Sequence, residues 1–284
     1  MVRRIIIFLL LAGTAAASNM NSLYDEFLKP GAESKGYANA LTASELGLIS
    51  IFYNPANLAL NEHKLDLYFC RENYYLINDI SHLSVAAGAR LWDDPVIYSA
   101  LSWRKLDYFD LVAYDDNENI MMFSTGIRKS SFLFGFNFKY LISVIDSEAV
   151  RADYTGWGLD TGFSFLWKSW LASISSFNTT GRVRYPDGFK QDLTRSYQAG
   201  ISFKGLKDII LYTGWNSILD QDIISLAGSY QLTENFCFSL SGSSRQEAGA
   251  GIYFSIRGFF LKYGYLYSLK DLLSHNSFTL SYGF

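Results

Sequence analysis

The chain holds three histidines, two cysteines and many serines, the groups from which covalent chemistry would have to be built. A serine nucleophile needs a base within hydrogen-bond reach, and that base needs a third group to orient it. His82-Leu83-Ser84 is the one close pairing of a base with a hydroxyl. An outer-membrane phospholipase would carry His-x-Ser-Asn-Gly here, whereas this chain continues Val85-Ala86. His63 and His275 stand apart from it. No HExxH helix, phosphate-binding glycine loop or calcium loop is present. Cys70 and Cys237 lie far apart and form no CxxC, so neither a zinc site nor a disulfide framework is expected. Asn178-Thr179-Thr180 matches a glycosylation sequon that arises often by chance. The expectation is a protein that is not an enzyme, with no catalytic residues, no metal and no cofactor.

Charge narrows the partners. Lys plus Arg is 24 and Asp plus Glu is 27, a formal net charge of −3. No basic excess exists to neutralise phosphates, so nucleic acid is not an expected partner. Aromatic residues make up 17% of the chain and charged residues only 18%. Disordered chains show the opposite balance. Many apolar side chains must therefore face something other than water.

Residues 1–17 read as a signal peptide. Arg3 and Arg4 precede the apolar run Ile5 to Ala12, and Ala15-Ala16-Ala17 offers an A-x-A cleavage site before Ser18. That run is too short for a permanent membrane helix, and no later stretch approaches ~18 uninterrupted apolar residues.

From residue 63 to 284 the sequence alternates. Phe132, Phe134, Phe136, Phe138 and Tyr140 fall on one face of an extended segment, with Leu133, Gly135, Asn137 and Lys139 on the other. Ala248, Ala250, Ile252, Phe254 and Ile256 oppose Gly249, Gly251, Tyr253 and Ser255 in the same way. Trp157, Leu159, Phe163, Phe165 and Trp167 oppose Asp160, Gly162 and Ser164. About fourteen such segments occur, near the ~9–11 residues a tilted membrane strand needs. Short turns at residues 93–95, 129–130, 168–169, 205–207, 233–235 and 258 alternate with longer connections near 73–79, 105–118, 143–153, 178–194, 217–222, 243–247 and 268–276. Loops sorted by parity are the mark of an outer-membrane barrel, and a soluble sandwich has no reason to sort them. The expected fold is all-β, a transmembrane antiparallel β-barrel of about fourteen strands, its partner the lipid of the bacterial outer membrane. Lipid offers backbone groups no partner, so the strands must close on themselves.

With short turns in the periplasm, Arg90, Arg128, Lys204, Arg257 and Lys262 are expected to point inward near that end. Asp25, Glu26, Glu33 and Glu45 of the preceding segment could dock on them, or the charges could simply reach water. Lys139 and Asp160 are mid-strand and lumenal, and either pair or line a wet interior. Asp107, Asp110, Asp115, Asp116 and Glu118 are expected to decorate one outer loop, as a solvated run or a cation bridge to surface polysaccharide. The chain ends on Phe278, Leu280, Tyr282 and Phe284, against Ser277, Thr279, Ser281 and Gly283. Outer-membrane barrels commonly end on such an aromatic, which implies recognition by the barrel-assembly machinery.

Residues 18–62 lack this alternation. Asp25 to Leu28 and Thr42 to Leu48 are expected as short helical pieces, with Thr42 or Ser44 as N-cap and Glu45 completing a capping box. Asn54-Pro55 favours the start of a turn, behind which Leu58 and Ala59 pack. This region resembles the PorV/PorQ family, within the larger group of FadL-like outer-membrane proteins. The residues that carry the resemblance are Phe27, Leu28, Gly31, Gly36, Ala40, Ala43, Tyr53, Asn54, Pro55, Ala56, Leu58 and Ala59. It implies a fourteen-stranded barrel whose N-terminal segment, residues 18–62, is tucked into the lumen as a hatch. It also implies a PorV/PorQ-type component of protein export to the cell surface, partnered by type IX secretion proteins. The alternatives are a FadL-like channel for a small hydrophobic ligand and a structural barrel. A channel would carry an apolar pocket beside the hatch and a side opening in the wall.

Overall fold

The computed structural model describes residues 29–74, 80–109, 114–147, 151–218, 221–269 and 273–284. The expected signal peptide, the expected helical piece at residues 25–28, and Asp25, Glu26, Phe27, Leu28 and Asp110 lie outside them.

The alternating segments become the strands β1 (Leu65–Tyr74), β2 (Ile80–Asp93), β3 (Val96–Phe109), β4 (Tyr114–Lys129), β5 (Phe132–Ser147), β6 (Arg151–Trp167), β7 (Trp170–Arg184), β8 (Lys190–Asp192), β9 (Ser196–Leu206), β10 (Ile209–Ile218), β11 (Gln221–Thr233), β12 (Phe236–Ser243), β13 (Glu247–Ile256), β14 (Phe259–Ser268) and β15 (Leu273–Gly283). Every strand except the three-residue β8 belongs to the wall, a closed antiparallel barrel of 14 strands. The ring closes where β1 meets β15, with Leu67 opposite Tyr282 and Phe69 opposite Leu280. Closure leaves no open edge, as hydrocarbon surroundings demand.

Alternation sorts the two faces as expected. Leu101 and Leu240 are 65% and 61% exposed on the outside, whereas Ser124 and Ser239, facing inward, are at most 1% exposed. This outward apolar belt has lipid as its natural solvent. Among the described residues no helix is long and apolar enough to cross a membrane.

At one end, adjoining strands of the pairs β2–β3, β4–β5, β6–β7, β9–β10, β11–β12 and β13–β14 are separated by only two residues. Ser130, Lys168, Asp208 and Arg257 adopt positive φ in these turns, and Arg257 with Gly258 supplies the two successive positive φ values of a type I′ hairpin. The opposite end carries the other connections. Several strands outrun the sequence expectation. β3 and β4 extend through most of the stretch expected as a loop at 105–118, and β7 continues to Arg184. The ladder persists beyond the lipid band, where both faces are wet and the hydrophobic alternation that marks a strand fades.

The core of the protein lies inside the ring. The N-terminal segment forms the short helix α1 (Ala32–Gly36) and two 3-10 turns, Gly47–Phe52 and Pro55–Leu60. Leu41, Leu48, Ile49, Ile51, Phe52 and Leu58 pack there against Tyr68, Ala86, Tyr98, Met122 and Tyr212 of the wall. The helix expected over residues 42–48 does not form. Thr42 donates its hydroxyl to Gln198 Oε1 of β9 at 3.3 Å instead of capping a helix.

Candidate functional site

The Asn-Pro-Ala segment is the best-anchored part of the hatch. Asn54 is extended, as a residue before proline prefers, and Pro55 opens the following 3-10 turn. Asn54 Oδ1 accepts from the Ala56 N–H at 3.0 Å and caps the turn. Its Nδ2 faces Ser164 Oγ at 3.1 Å and the carbonyls of Phe163 and Ile174 at 3.3 Å each. Tyr53 is fully buried. Its carbonyl accepts from Ser175 Oγ at 2.8 Å, and its hydroxyl donates to Asn39 Oδ1 at 3.2 Å. Burial pushes the Tyr53 and Tyr37 phenols well above their ordinary range, so both stay neutral. Ala56 and Ala59 pack on Leu133, while Leu58 joins the main lumenal core.

The seat beneath this turn is a row of glycines. Gly126, Gly135 and Gly162 stand directly opposite one another on β4, β5 and β6. A Cβ on Gly135 would run into the Pro55–Ala56 peptide, one on Gly162 into the Asn54 amide, and one on Gly126 into Pro55 O and Ala59 N. The flat strip lets the hatch backbone lie against the wall. Alternation flags these glycines as inward-facing, but their alignment across three strands depends on register, which one sequence does not reveal.

The lumenal charges divide. Lys139 and Asp160 pair at 2.9 Å and are almost fully buried. Asp160 also accepts from Asn137 Nδ2 at 3.0 Å and the Asn178 N–H at 2.9 Å. Lys262 pairs with Glu33 and Lys204 with Glu45, so two of the basic residues do clasp the acidic hatch. Arg90 donates to the Asn61 carbonyl at the end of the hatch. The other two depart from expectation. Arg128 Nε donates to Ser130 O in its own turn at 3.2 Å, and Arg257 sits in the β13–β14 turn, exposed. Arg128 is the penultimate residue of β4 and Arg257 lies just beyond β13, so both side chains are at the rim beside the turns. Glu118, expected in an outer loop, is instead buried on the inward face of β4. Asp107 stays near the outer rim, 2.9 Å from Lys105 Nζ.

A second buried network ties α1 to the wall. Glu72 accepts from the Gly31 N–H at 2.7 Å, lies 3.6 Å from Lys35 Nζ and contacts His82 Nδ1 at 3.2 Å. His82 Nε2 meets Ser84 Oγ at 3.0 Å and accepts from Arg104 Nε at 3.3 Å. Ser84, His82 and Glu72 thus follow the hydrogen-bond order of a hydrolytic triad. They lie inside the lumen, however, all three are sealed, and the imidazole nitrogen needed as base is shared with an arginine. The arrangement fits a structural clamp. Among the described residues no group of three or more His, Cys, Asp or Glu could hold a metal ion.

Beside the hatch, at the short-turn end, lies a cavity of about 660 Å³. Tyr37, Leu48, Ile210, Tyr212, Cys237 and Tyr253 contribute to its wall. Tyr37 stacks on Tyr253 at 5.6 Å and meets Tyr212 edge-on at 5.0 Å. The Glu33–Lys262 and Glu45–Lys204 pairs also line it.

The terminal residues seal the ring. Phe278, Leu280 and Phe284 are exposed on the outside, and Tyr282 packs on Phe259 at 4.4 Å and Phe284 at 5.4 Å. The Phe284 carbonyl accepts from the N–H groups of Lys64 and Leu65 at 2.8 and 3.0 Å.

No protein-family model and no curated protein matches the chain. Solved structures do resemble it. The CymD monoaromatic hydrocarbon channel superimposes with a TM-score of 0.66 at 10% identity, over 93% of this chain and 98% of that one. The Ralstonia pickettii toluene transporter TbuX gives 0.65 at 10% identity, over 91% and 100%. A Pseudomonas aeruginosa FadL homologue gives 0.59 at 9% identity, over 90% and 98%. At such identities the likeness is one of fold, and it is the fold of FadL-type barrels.

Proposed function

We propose that the protein is a FadL-type outer-membrane channel that passes a small hydrophobic compound toward the periplasm. The observation that carries this reading is the cavity of about 660 Å³ between the hatch and the β10–β14 wall, whose lining includes the Tyr37–Tyr212–Tyr253 cluster. Tyrosine and aliphatic faces share the lining with Glu33, Glu45, Asp66, Lys204 and Lys262, so a small ligand would meet apolar surface beside fixed polar groups. The solved structures of the same fold include a hydrocarbon channel and a toluene transporter, which agrees with it. It is one of the alternatives that the sequence leaves open. The export reading, in which the chain serves type IX secretion, has no separate observation behind it.

The test is uptake of radiolabelled toluene by cells carrying the protein in their outer membrane. Ser229→Trp would fill the cavity from β11 and is expected to lower uptake about tenfold, with folded barrel recovered at the wild-type level. Equal uptake by cells with and without the protein would end the channel reading. Recovery of secretion proteins, and no lipid or hydrocarbon, in a pull-down from native membranes would put the export reading first.

A further inference from the structure

We infer that the outer wall over β6, β7, β9 and β10 carries a binding site for a phosphorylated, acylated lipid of the outer leaflet. The inference rests on the membrane-spanning reading, with the two-residue turns facing the periplasm, and not on the transport proposal.

The first observation is a groove of about 450 Å³ on the lipid-facing side of the wall. Its floor is made where outward positions are small, at Ala172 on β7, Ala199 on β9 and Thr213 on β10. Larger side chains alternate with them, Ile201 directly opposite both Ala172 and Thr213, and Ile174 and Trp215 on either side of Ala199. The wall behind is unbroken, since Ser173 pairs with Gly200 and Gly200 with Gly214. The groove is therefore a trough on the surface and not an opening into the lumen. Small positions staggered among large ones leave a recess on the lipid side, where an extended hydrocarbon chain can lie.

The second observation lies on the same strands, toward the outer rim. Arg182 and Arg184 close β7, Lys190 follows on β8, and Arg195 precedes β9, all exposed. Arg195 is four residues from Ala199, roughly 13 Å at the rise of a strand. Trp157, 43% exposed and directly opposite Arg182, stands where interfacial aromatics belong. Asp192 engages Arg182 at 2.9 Å, and Asp153 and Asp187 are the other acids nearby. Arg184, Lys190 and Arg195 form no ion pair among the described residues. They are left to meet an anion from the membrane side. A phosphate at the outer-leaflet surface is within reach of that cluster, while an acyl chain from the same molecule descends into the trough. Charge complementarity selects a phosphorylated headgroup over a zwitterionic one.

Native mass spectrometry of the full-length protein in detergent micelles tests this, with diphosphorylated lipid A and phosphatidylcholine as the two probes. Lipid A should be retained about tenfold better than phosphatidylcholine. Near-surface basic residues contribute about 1 kcal/mol each toward anionic lipid, so Arg184→Glu with Arg195→Glu should reduce lipid A retention at least tenfold. Ala199→Trp, which fills the trough and leaves the charges, should reduce it as well. Lys129→Glu, at the opposite rim, should leave it unchanged. Equal retention of the two lipids would overturn the assignment. So would full retention by the double charge variant, or a loss in Lys129→Glu as large as in that variant.

Discussion

At the scale of single residues, the hatch is held by a few polar side chains whose removal has foreseeable effects. Asn54 both caps the turn that follows it and contacts two wall strands. Asn54→Ala removes the cap and leaves wall carbonyls unmet. It should destabilise the folded protein by about 1–2 kcal/mol, read as a lower guanidinium midpoint in detergent. Lys139 and Asp160 make a sharper case. Both are buried, so removing one partner strands a charge. Lys139→Ala is expected to lose about 3–5 kcal/mol, while Lys139→Met with Asp160→Leu should lose markedly less. A double variant as damaged as the single one would show that the pair matters as more than mutual neutralisation. The sequence supplied the residue types and inward placement of this pair, and left open whether they meet. Of the two residues that complete the cage around Asp160, Asn137 shares the inward face that alternation marks, whereas Asn178 arrives through an irregularity in β7 that alternation does not foresee.

At the scale of elements, legibility followed the physics of alternation. Strand faces such as Phe132 to Tyr140 were readable because lipid and lumen impose opposite chemistry on successive residues. Strand ends were not, since Asp115 to Glu118 pair across the ladder while offering no apolar face. The hatch shows as a break in the pattern, but residues 42–48, whose Thr and Glu spacing reads as a capped helix, form none because a wall contact takes the place of the cap. Its electrostatic clasp was half legible: Lys204 and Lys262 reach the hatch, whereas Arg128 and Arg257 end in turns. Lys204→Gln with Lys262→Gln should therefore loosen the hatch at the short-turn end. In planar bilayers this variant should show more frequent conducting events than wild type, and Arg257→Gln should not. Gly135→Val attacks the same element from its seat and should raise conductance further, because a side chain there cannot coexist with the Pro55–Ala56 peptide.

At the scale of the whole molecule, the first and last strands complete one wall. Phe284 contributes its carbonyl to the Lys64 and Leu65 amides and its ring to the Tyr282 cluster. Removing Phe284 should lower the yield of heat-modifiable, folded barrel in membranes while leaving the transcript and total chain unchanged. If yield is untouched, the terminal aromatic serves neither the seam nor assembly. The same seam has a temporal side. Ala32 bonds to Thr279, 247 positions away, and Glu33 reaches Lys262 across 229. These are among the most distant couplings along the chain, and contacts of that span are the slowest to form. The plug is also threaded directly into the first stave of the wall. Its seat on Thr279 and Lys262 exists only once β14 and β15 have joined the wall, so docking of the hatch and closure of the seam are expected to be coupled in biogenesis. That is the moment at which an added peptide copying residues 29–62 could take the native segment's berth.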